Sequence, residues 1–300
     1  MLRRSFLQTL AAVPAGGILI PYVLHAQQGI TVTPLADKLH MIGGDGGNIA
    51  VLEGADGLLL IDSGLPNAVD GLVAETGKIG KGKVTRVINT HWHYDHIGAN
   101  TRFGTDGAKI LSHENCRTRL ATKQEMKAMG RTFDPLPAAG IPSETFRDKG
   151  QLKHGSETLA YRYLPPAHTD GDTVIHFQNA NVFHCGDLVF NGMYPFIDYG
   201  SGGSLAGMAK DARMILELVD EKTKIIPGHG PLAQKKEIVE YAEMLDGAHE
   251  ILSKLIKEGK TLEQVQAAKP LARYDVKWGN GFMKPDPWIA INYNGMTNRS

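Results

Sequence analysis

Thr90-His91-Trp92-His93-Tyr94-Asp95-His96-Ile97-Gly98 places three histidines and one aspartate within positions 91–96. The preceding run, Val84-Thr85-Arg86-Val87-Ile88, is rich in β-branched residues and predicts a buried strand. The cluster therefore falls where a strand ends, on a loop carried by a rigid scaffold. In an extended loop, His91 and His93 aim two imidazoles at one point. The adjacent pair Asp95-His96 points elsewhere and serves a second point. Neutral imidazole and carboxylate suit zinc or a similar divalent ion, so the spacing predicts two neighbouring metal ions. Packing alone gives a loop no reason to carry four ligand-type side chains. A tract that merely scavenges metal would be low-complexity, and nothing around this one is repetitive.

Further ligand-type residues stand at intervals on either side. Downstream are His168 in Pro165-Pro166-Ala167-His168-Thr169-Asp170-Gly171-Asp172, Asp187 in His184-Cys185-Gly186-Asp187-Leu188, and His229 in Pro227-Gly228-His229-Gly230. Upstream, Asp62 follows the apolar pair Leu60-Ile61. His-x-His-x-Asp-His with these companions, in this order across residues 35 to 235, resembles the signature of the metallo-β-lactamase-fold hydrolases.

The resemblance implies an α/β protein, an αβ/βα four-layer sandwich with the metals at the seam. It implies His91, His93 and His168 on a first metal, Asp95, His96 and His229 on a second, and Asp187 bridging the two. It also implies a cofactor of two Zn2+ or other divalent ions. Such a pair lowers the pKa of a shared water and polarises the bond under attack. Asp95 then holds the nucleophilic hydroxide while ligating. Asp62 is expected behind the ligands, holding the loop or a ligand histidine. Asp170 and Asp172 either do the same for His168 or simply form the turn.

Departures within the motif narrow the branch. A redox di-iron branch carries glutamate where this chain has His93. True metallo-β-lactamases usually carry Cys or Ser where it has Asp187, and their commonest subclass has lysine where it has Phe190. The leading expectation is therefore a dinuclear zinc hydrolase of an ester, lactone, thioester or amide, with β-lactam hydrolysis weak. The alternatives are a mononuclear non-haem iron sulfur dioxygenase on the same scaffold and a non-catalytic periplasmic metal-binding protein.

Composition agrees with an enzyme acting on a small-molecule substrate. Lys+Arg and Asp+Glu balance at 32 each, and 42% of the 300 residues are hydrophobic. No basic face for nucleic acid is indicated. Residues 1–26 carry Arg3-Arg4 before an apolar run from Leu10 to Leu24 broken by Pro14 and Pro21, then Leu24-His25-Ala26. This reads as a twin-arginine export signal cleaved after Ala26. It places the mature protein in the bacterial periplasm or outside the cell, with no stable membrane anchor. Residues 27–300 read as one domain with a C-terminal helical tail, and the sequence sets no oligomeric state.

Several local expectations follow. Gly54-Ala55-Asp56-Gly57 is a hairpin turn. Helices are expected over Pro66 to Lys78, His113 to Gly130, Ser204 to Val219, and 235–257, with a shorter one at 261–268. Phe133 to Pro142 is expected as a loop near the mouth of the site. The loop from Val189 to Gly203 either walls a substrate cleft or packs inward, and Trp92 is expected in the core. Cys116 and Cys185 are expected to stay unbridged. His184, three residues from Asp187, is the one remaining histidine placed to act at the site; the others are read as surface or core residues.

Overall fold

The computed structural model describes residues 30–44 and 46–297; the expected export signal lies outside them. Six strands open the chain: β1 (Thr31–Ala36), β2 (Leu39–Gly43), β3 (Ile49–Gly54), β4 (Gly57–Ile61), β5 (Val84–Ile88) and β6 (Lys109–His113). A hairpin of β7 (Gln124–Met126) and β8 (Arg131–Phe133) follows, then β9 (Glu144–Phe146). The first sheet runs in the order β1-β2-β3-β4-β5-β6-β9, and β7–β8 forms a small sheet of its own. The second sheet contains β10 (Lys149–His154), β11 (Glu157–Tyr163), β12 (Thr173–Phe177), β13 (Val182–His184) and β14 (Lys224–Ile226), in that order. Among the described residues, no helix is long and apolar enough to cross a membrane.

Period-two side-chain alternation explains the layers. In β4, Leu59 and Ile61 join the core between the sheets, with Leu159, Ile175, Phe177 and Ile226 from the second sheet. Leu58 and Leu60 face the other way, onto Leu72 of α1 (Val69–Ile79) and Phe103 of α2 (Asn100–Thr105). Burial on both faces is why β4 reads as an unbroken apolar run. The outer face of the second sheet, through Val174, Phe183 and Ile225, packs on α4 (Leu205–Leu218) and α5 (Lys235–Lys257). Helix, sheet, sheet and helix stack as the expected four-layer sandwich.

The C-terminal helices α6 (Leu262–Ala267), α7 (Ala272–Trp278) and α8 (Pro285–Thr297) pack onto that outer core through Val265, Trp278 and Trp288. The expected turn at 54–57 is present, with Gly54 opposite Gly57. Ser204 caps α4 by accepting a hydrogen bond from the Gly207 amide. Cys116 and Cys185 are buried and unpaired.

Three local expectations need correction. The first helix begins at Val69, not Pro66, and ends at Ile79. The helix expected over 113–130 stops at Leu120 as α3 (Glu114–Leu120), and the chain then turns into the β7–β8 hairpin. Met126, Lys127, Ala128 and Met129 are good helix formers. Tertiary contacts override that propensity, with Met126 buried in the outer core and Gly130 at φ +60 closing the turn. The segment from Phe133 begins beside Tyr94 but then runs under α2. There Gly140 lies against Thr101, and its carbonyl accepts from Asn100 Nδ2.

Candidate metal centre

The ligand-type residues sit where parallel strands end, the edge at which open α/β sheets place their ligands. Strands β4 and β5 are parallel neighbours and deliver Asp62 and the 91–96 loop. Strands β13 and β14 are also parallel and deliver Asp187 and His229. Backbone bonds stitch the two sheets together here: Thr173 N donates to Thr90 O, and Asn48 N donates to Gly228 O.

Seven side chains converge in two groups. His91, His93, His168 and Asp187 form one, and Asp95, His96 and His229 the other; ligand atoms within each group lie within 4.8 Å of one another. Asp187 reaches both groups. Its Oδ1 is 3.0 Å from His96 Nε2, and its Oδ2 is 3.4 Å from both His168 Nε2 and His229 Nε2. Asp95 Oδ2 is 3.2 Å from His229 Nε2. All seven residues named from the sequence are therefore brought together, and Asp187 stands between the two sets.

Four of the five imidazoles are anchored on the nitrogen facing away from the centre. His91 Nδ1 meets Thr90 Oγ1 at 3.0 Å, and His168 Nδ1 meets the Phe196 carbonyl at 2.8 Å. His96 Nδ1 is 2.8 Å from Asp62 Oδ2. His93 uses Nε2, 3.1 Å from Asp198 Oδ2, which turns its Nδ1 inward. These outer partners fix tautomer and ring orientation, as partners of metal-binding histidines do.

Asp62 is more than a ligand's partner. Its carboxylate also accepts from Thr90 N and Thr90 Oγ1, both at 2.7 Å, so one buried group holds both ends of the motif. Its backbone is left-handed, φ +65, a strained state for a non-glycine residue that its surroundings must sustain. Asp172 accepts from the backbone N–H groups of His168 and Thr169, shaping the His168 loop, whereas Asp170 pairs with Arg119. Both ring nitrogens of His184 are occupied, by Asn48 O and Gly186 N, so it braces the Asp187 turn.

Asp198 was not visible as a site residue in the sequence. It lies in the aromatic loop, and only its turn chemistry, accepting from the Ser201 amide, marks it. That loop packs inward and touches the centre at once. Phe190, Tyr194 and Phe196 are buried, and the Phe190 ring stacks on His229 with centroids 5.0 Å apart. Trp92 lies in the outer core, as expected.

The residues fit a metal. His91 Nε2 is buried with no hydrogen-bond partner. The rings of His93, His96 and His168 surround His91 at 4.7, 4.3 and 4.7 Å. His168 Nε2 and His93 Nδ1 face each other at 2.9 Å. An unpaired buried nitrogen costs about 1–3 kcal/mol, which an ion ligated at that point removes. Two glycines make room. A Cβ on Gly228 would stand 1.9 Å from Asp187 Oδ1, and one on Gly47 would stand 2.1 Å from the His96 ring.

The groups differ in charge. Burial, reinforced by neighbouring imidazoles, holds His91 well below the usual histidine range and His168 down to about 4. Burial opposes charge at His96 and His229 too, but the carboxylates prevail. Asp187, Asp95 and Asp62 raise His96 well above its usual value, and Asp187 and Asp95 raise His229 to about 9. Burial likewise disfavours ionised Asp95 and Asp187, and the facing histidines outweigh it. Asp95 falls to about 2 and Asp187 well below the carboxylate range.

Comparison with known proteins agrees with this geometry. The family model described as "Metallo-beta-lactamase superfamily" matches residues 42–229, so the chain belongs to that superfamily. The chain is a hydrolase of this superfamily with a candidate metal site at His91, His93, His168 and Asp187. The chain is 24% identical to a 2,4-dinitroanisole O-demethylase subunit alpha from Nocardioides sp., over 70% of its own length and 60% of that protein's. It is 25% identical to an acyl-coenzyme A thioesterase from Gallus gallus, over 62% of its own length and 73% of that protein's. Two solved structures share the fold. A metallo-beta-lactamase from Pontibacter korlensis has TM-score 0.59 and 18% identity, covering 73% of this chain and 99% of that one. A sec-alkylsulfatase from Pseudomonas sp. has TM-score 0.64 and 14% identity, covering 88% of this chain and 50% of that one.

Proposed function

We propose that the protein is a dinuclear zinc hydrolase of a small-molecule ester, lactone, thioester or amide. The carrying observation is the position of Asp187, whose two carboxylate oxygens reach histidines of both groups. A closed structural zinc site needs only four ligands; seven convergent ligands with one shared carboxylate call for two ions. Held by these residues, two such ions would lower the pKa of a bound water toward neutral pH, supplying a hydroxide nucleophile, and would polarise the bond under attack.

The protein's own residues do the rest. His91, His93 and His168 face one another in a closed corner, and burial keeps His91 and His168 neutral. Asp95 and His229, each with a side chain 18% exposed, form the open edge where a substrate arrives. The Asp95 carboxylate, held ionised, would orient the attacking group by a hydrogen bond while ligating. Asp62 keeps His96 and the 91–96 loop in register without touching substrate. The thioesterase relative supports acyl transfer to water as the reaction class. We also take residues 27–300 as one domain, exported through the Arg3-Arg4 signal, a reading supported by the sequence.

The experiment is to assay the purified mature protein, stripped and reloaded with zinc, against acetyl esters, thioesters and lactones. Zinc-dependent turnover that saturates at two ions per chain is expected. Oxygen consumption with one iron per chain would overturn the reading.

A further inference from the structure

The C-terminal helices follow the last ligand, His229, in the sequence and return to it in space. The link between α7 and α8 carries Phe282 back to the metal centre, where its half-buried ring lies 6.2 Å from the His229 ring and 6.3 Å from the Phe190 ring. We propose that Phe282 is a specificity-determining residue, an aromatic wall at the open edge on which a flat, apolar group of the substrate packs beside the scissile bond. The inference rests on the hydrolase reading and narrows it to substrates with an aryl or similarly planar acyl or leaving group.

Three observations carry it. The first is place. His91, His93, His96 and His168 are closed off, so a substrate reaches the centre over Asp95 and His229. His229 turns its Nε2 toward Asp95 and Asp187, and its ring meets Phe190 and Phe282. One exposed ligand thus joins the metal centre to the aromatic wall. The second is chemistry. The Phe282 ring is tilted by 50° to His229 and by 37° to Phe190, within the range of arrangements that aromatic groups prefer over a face-to-face sandwich. The cations closest to Phe282 in the sequence are engaged elsewhere: Lys277 pairs with Glu240, and Lys284 donates to the Asn280 carbonyl. What Phe282 offers a ligand is ring surface, which suits a planar apolar group.

The third is pre-organisation. The segment that carries Phe282 is fastened on both sides to the loop that follows Asp187. Before it, the Trp278 carbonyl accepts from Tyr194 N, and Asp275 Oδ1 accepts from the Tyr194 hydroxyl, each at 2.8 Å. After it, Trp288 Nε1 donates to the Pro195 carbonyl at 2.7 Å, and the Trp288 ring stacks on Tyr194 at 4.4 Å and 16°. Between these anchors Gly281 lies so close to Met193 that a Cβ there would stand 2.4 Å from the Met193 Cβ. The same loop supplies Phe196 to His168 and Asp198 to His93. The wall and the ligands are therefore held by one frame, so a ligand packed on Phe282 costs little reordering.

The test is calorimetric binding of two hydroxamates to the zinc-loaded full chain, with zinc counted in each sample beforehand. Acetohydroxamate and benzohydroxamate share a metal-binding group and differ in the methyl or phenyl beside it. The wild type is expected to bind benzohydroxamate the more tightly. Phe282→Ala is expected to lower that preference about two- to tenfold, the worth of one aromatic pair, with zinc content and acetohydroxamate affinity unchanged. Phe282→Trp, which keeps a ring, is expected to restore the preference. An unchanged preference in Phe282→Ala at full zinc content overturns the proposal alone. Loss of zinc, or an equal loss of both hydroxamates, also overturns it, because Phe282 would then only prop His229. A preference that falls as expected while no ester, thioester or lactone is turned over upholds the wall and defeats the hydrolase reading.

Discussion

His91, His93 and His168 sit in a sealed corner of the centre, whereas Asp95, His96 and His229 form its carboxylate-rich, half-open side. The corner is built from imidazoles that face one another, so burial and mutual repulsion keep His91 and His168 neutral. The open side pairs its imidazoles with Asp62, Asp95 and Asp187, so without metal they hold protons. Residues of the same types therefore make two different sites. One is ready for a cation at neutral pH; the other must give up protons to take one.

The largest effect is expected where the comparison collapses. Asp187→Ala removes the group common to both sides, and we expect zinc content to fall below one ion per chain and kcat/KM to drop about a thousandfold or more. Retention of two ions would show that the sides do not depend on Asp187.

The next prediction separates the sides by pH. The open side gains zinc only as His96 and His229 release protons, and the His229 value is raised to about 9. Lowering pH from 9 to 6 should therefore weaken it about tenfold per unit for each proton displaced. The closed corner has no proton on His91 or His168 to displace over that range. His229→Ala should leave one ion whose affinity changes little with pH, whereas His168→Ala should leave one that is lost on acidification. Zinc titration with a chromophoric chelator distinguishes them, and equal pH slopes would break the distinction.

The outer partners give a smaller effect. Asp198→Asn weakens the hold on His93 of the closed corner, and Asp62→Asn weakens the hold on His96 of the open side. Each should cost about 10–100-fold in zinc affinity or activity. The Asp62 change should also lower the melting temperature, because that carboxylate holds Thr90 as well.

These two aspartates show what the sequence could tell. The ligands were legible because seven of them fall in motifs at strand ends, and Asp62 followed an unmistakable buried strand. Asp198 was not, because it reaches His93 across 105 positions from a loop whose aromatics dominate its pattern. The β7–β8 hairpin was hidden for a related reason. Its helix-forming residues are overruled by pairing and burial that only the folded chain supplies. The sandwich itself was implied by the family resemblance that the ligand motifs carry, while continuous apolar runs such as β4 marked individual strands.

The smallest effect concerns the support behind the closed corner. Asp211 of α4 is fully buried, and neither carboxylate oxygen has a hydrogen-bond partner. Burial and then the nearby Asp172 raise its carboxyl to about 8. The unfolded chain ionises this group near pH 4 and the folded chain only near 8, so its burden on stability grows as pH rises between those values. Asp211→Asn should raise the unfolding free energy by about 1–3 kcal/mol at pH 8 and by less at pH 5. Chemical denaturation at the two pH values reads the difference, and a gain larger at pH 5 would contradict the assignment.

The most direct test of the central claim is anomalous diffraction at the zinc edge from crystals of the zinc-loaded protein at pH 8.5. Two peaks are expected, one enclosed by His91, His93 and His168 and one by Asp95, His96 and His229, with Asp187 between them. A single peak, on either side, would contradict the dinuclear centre.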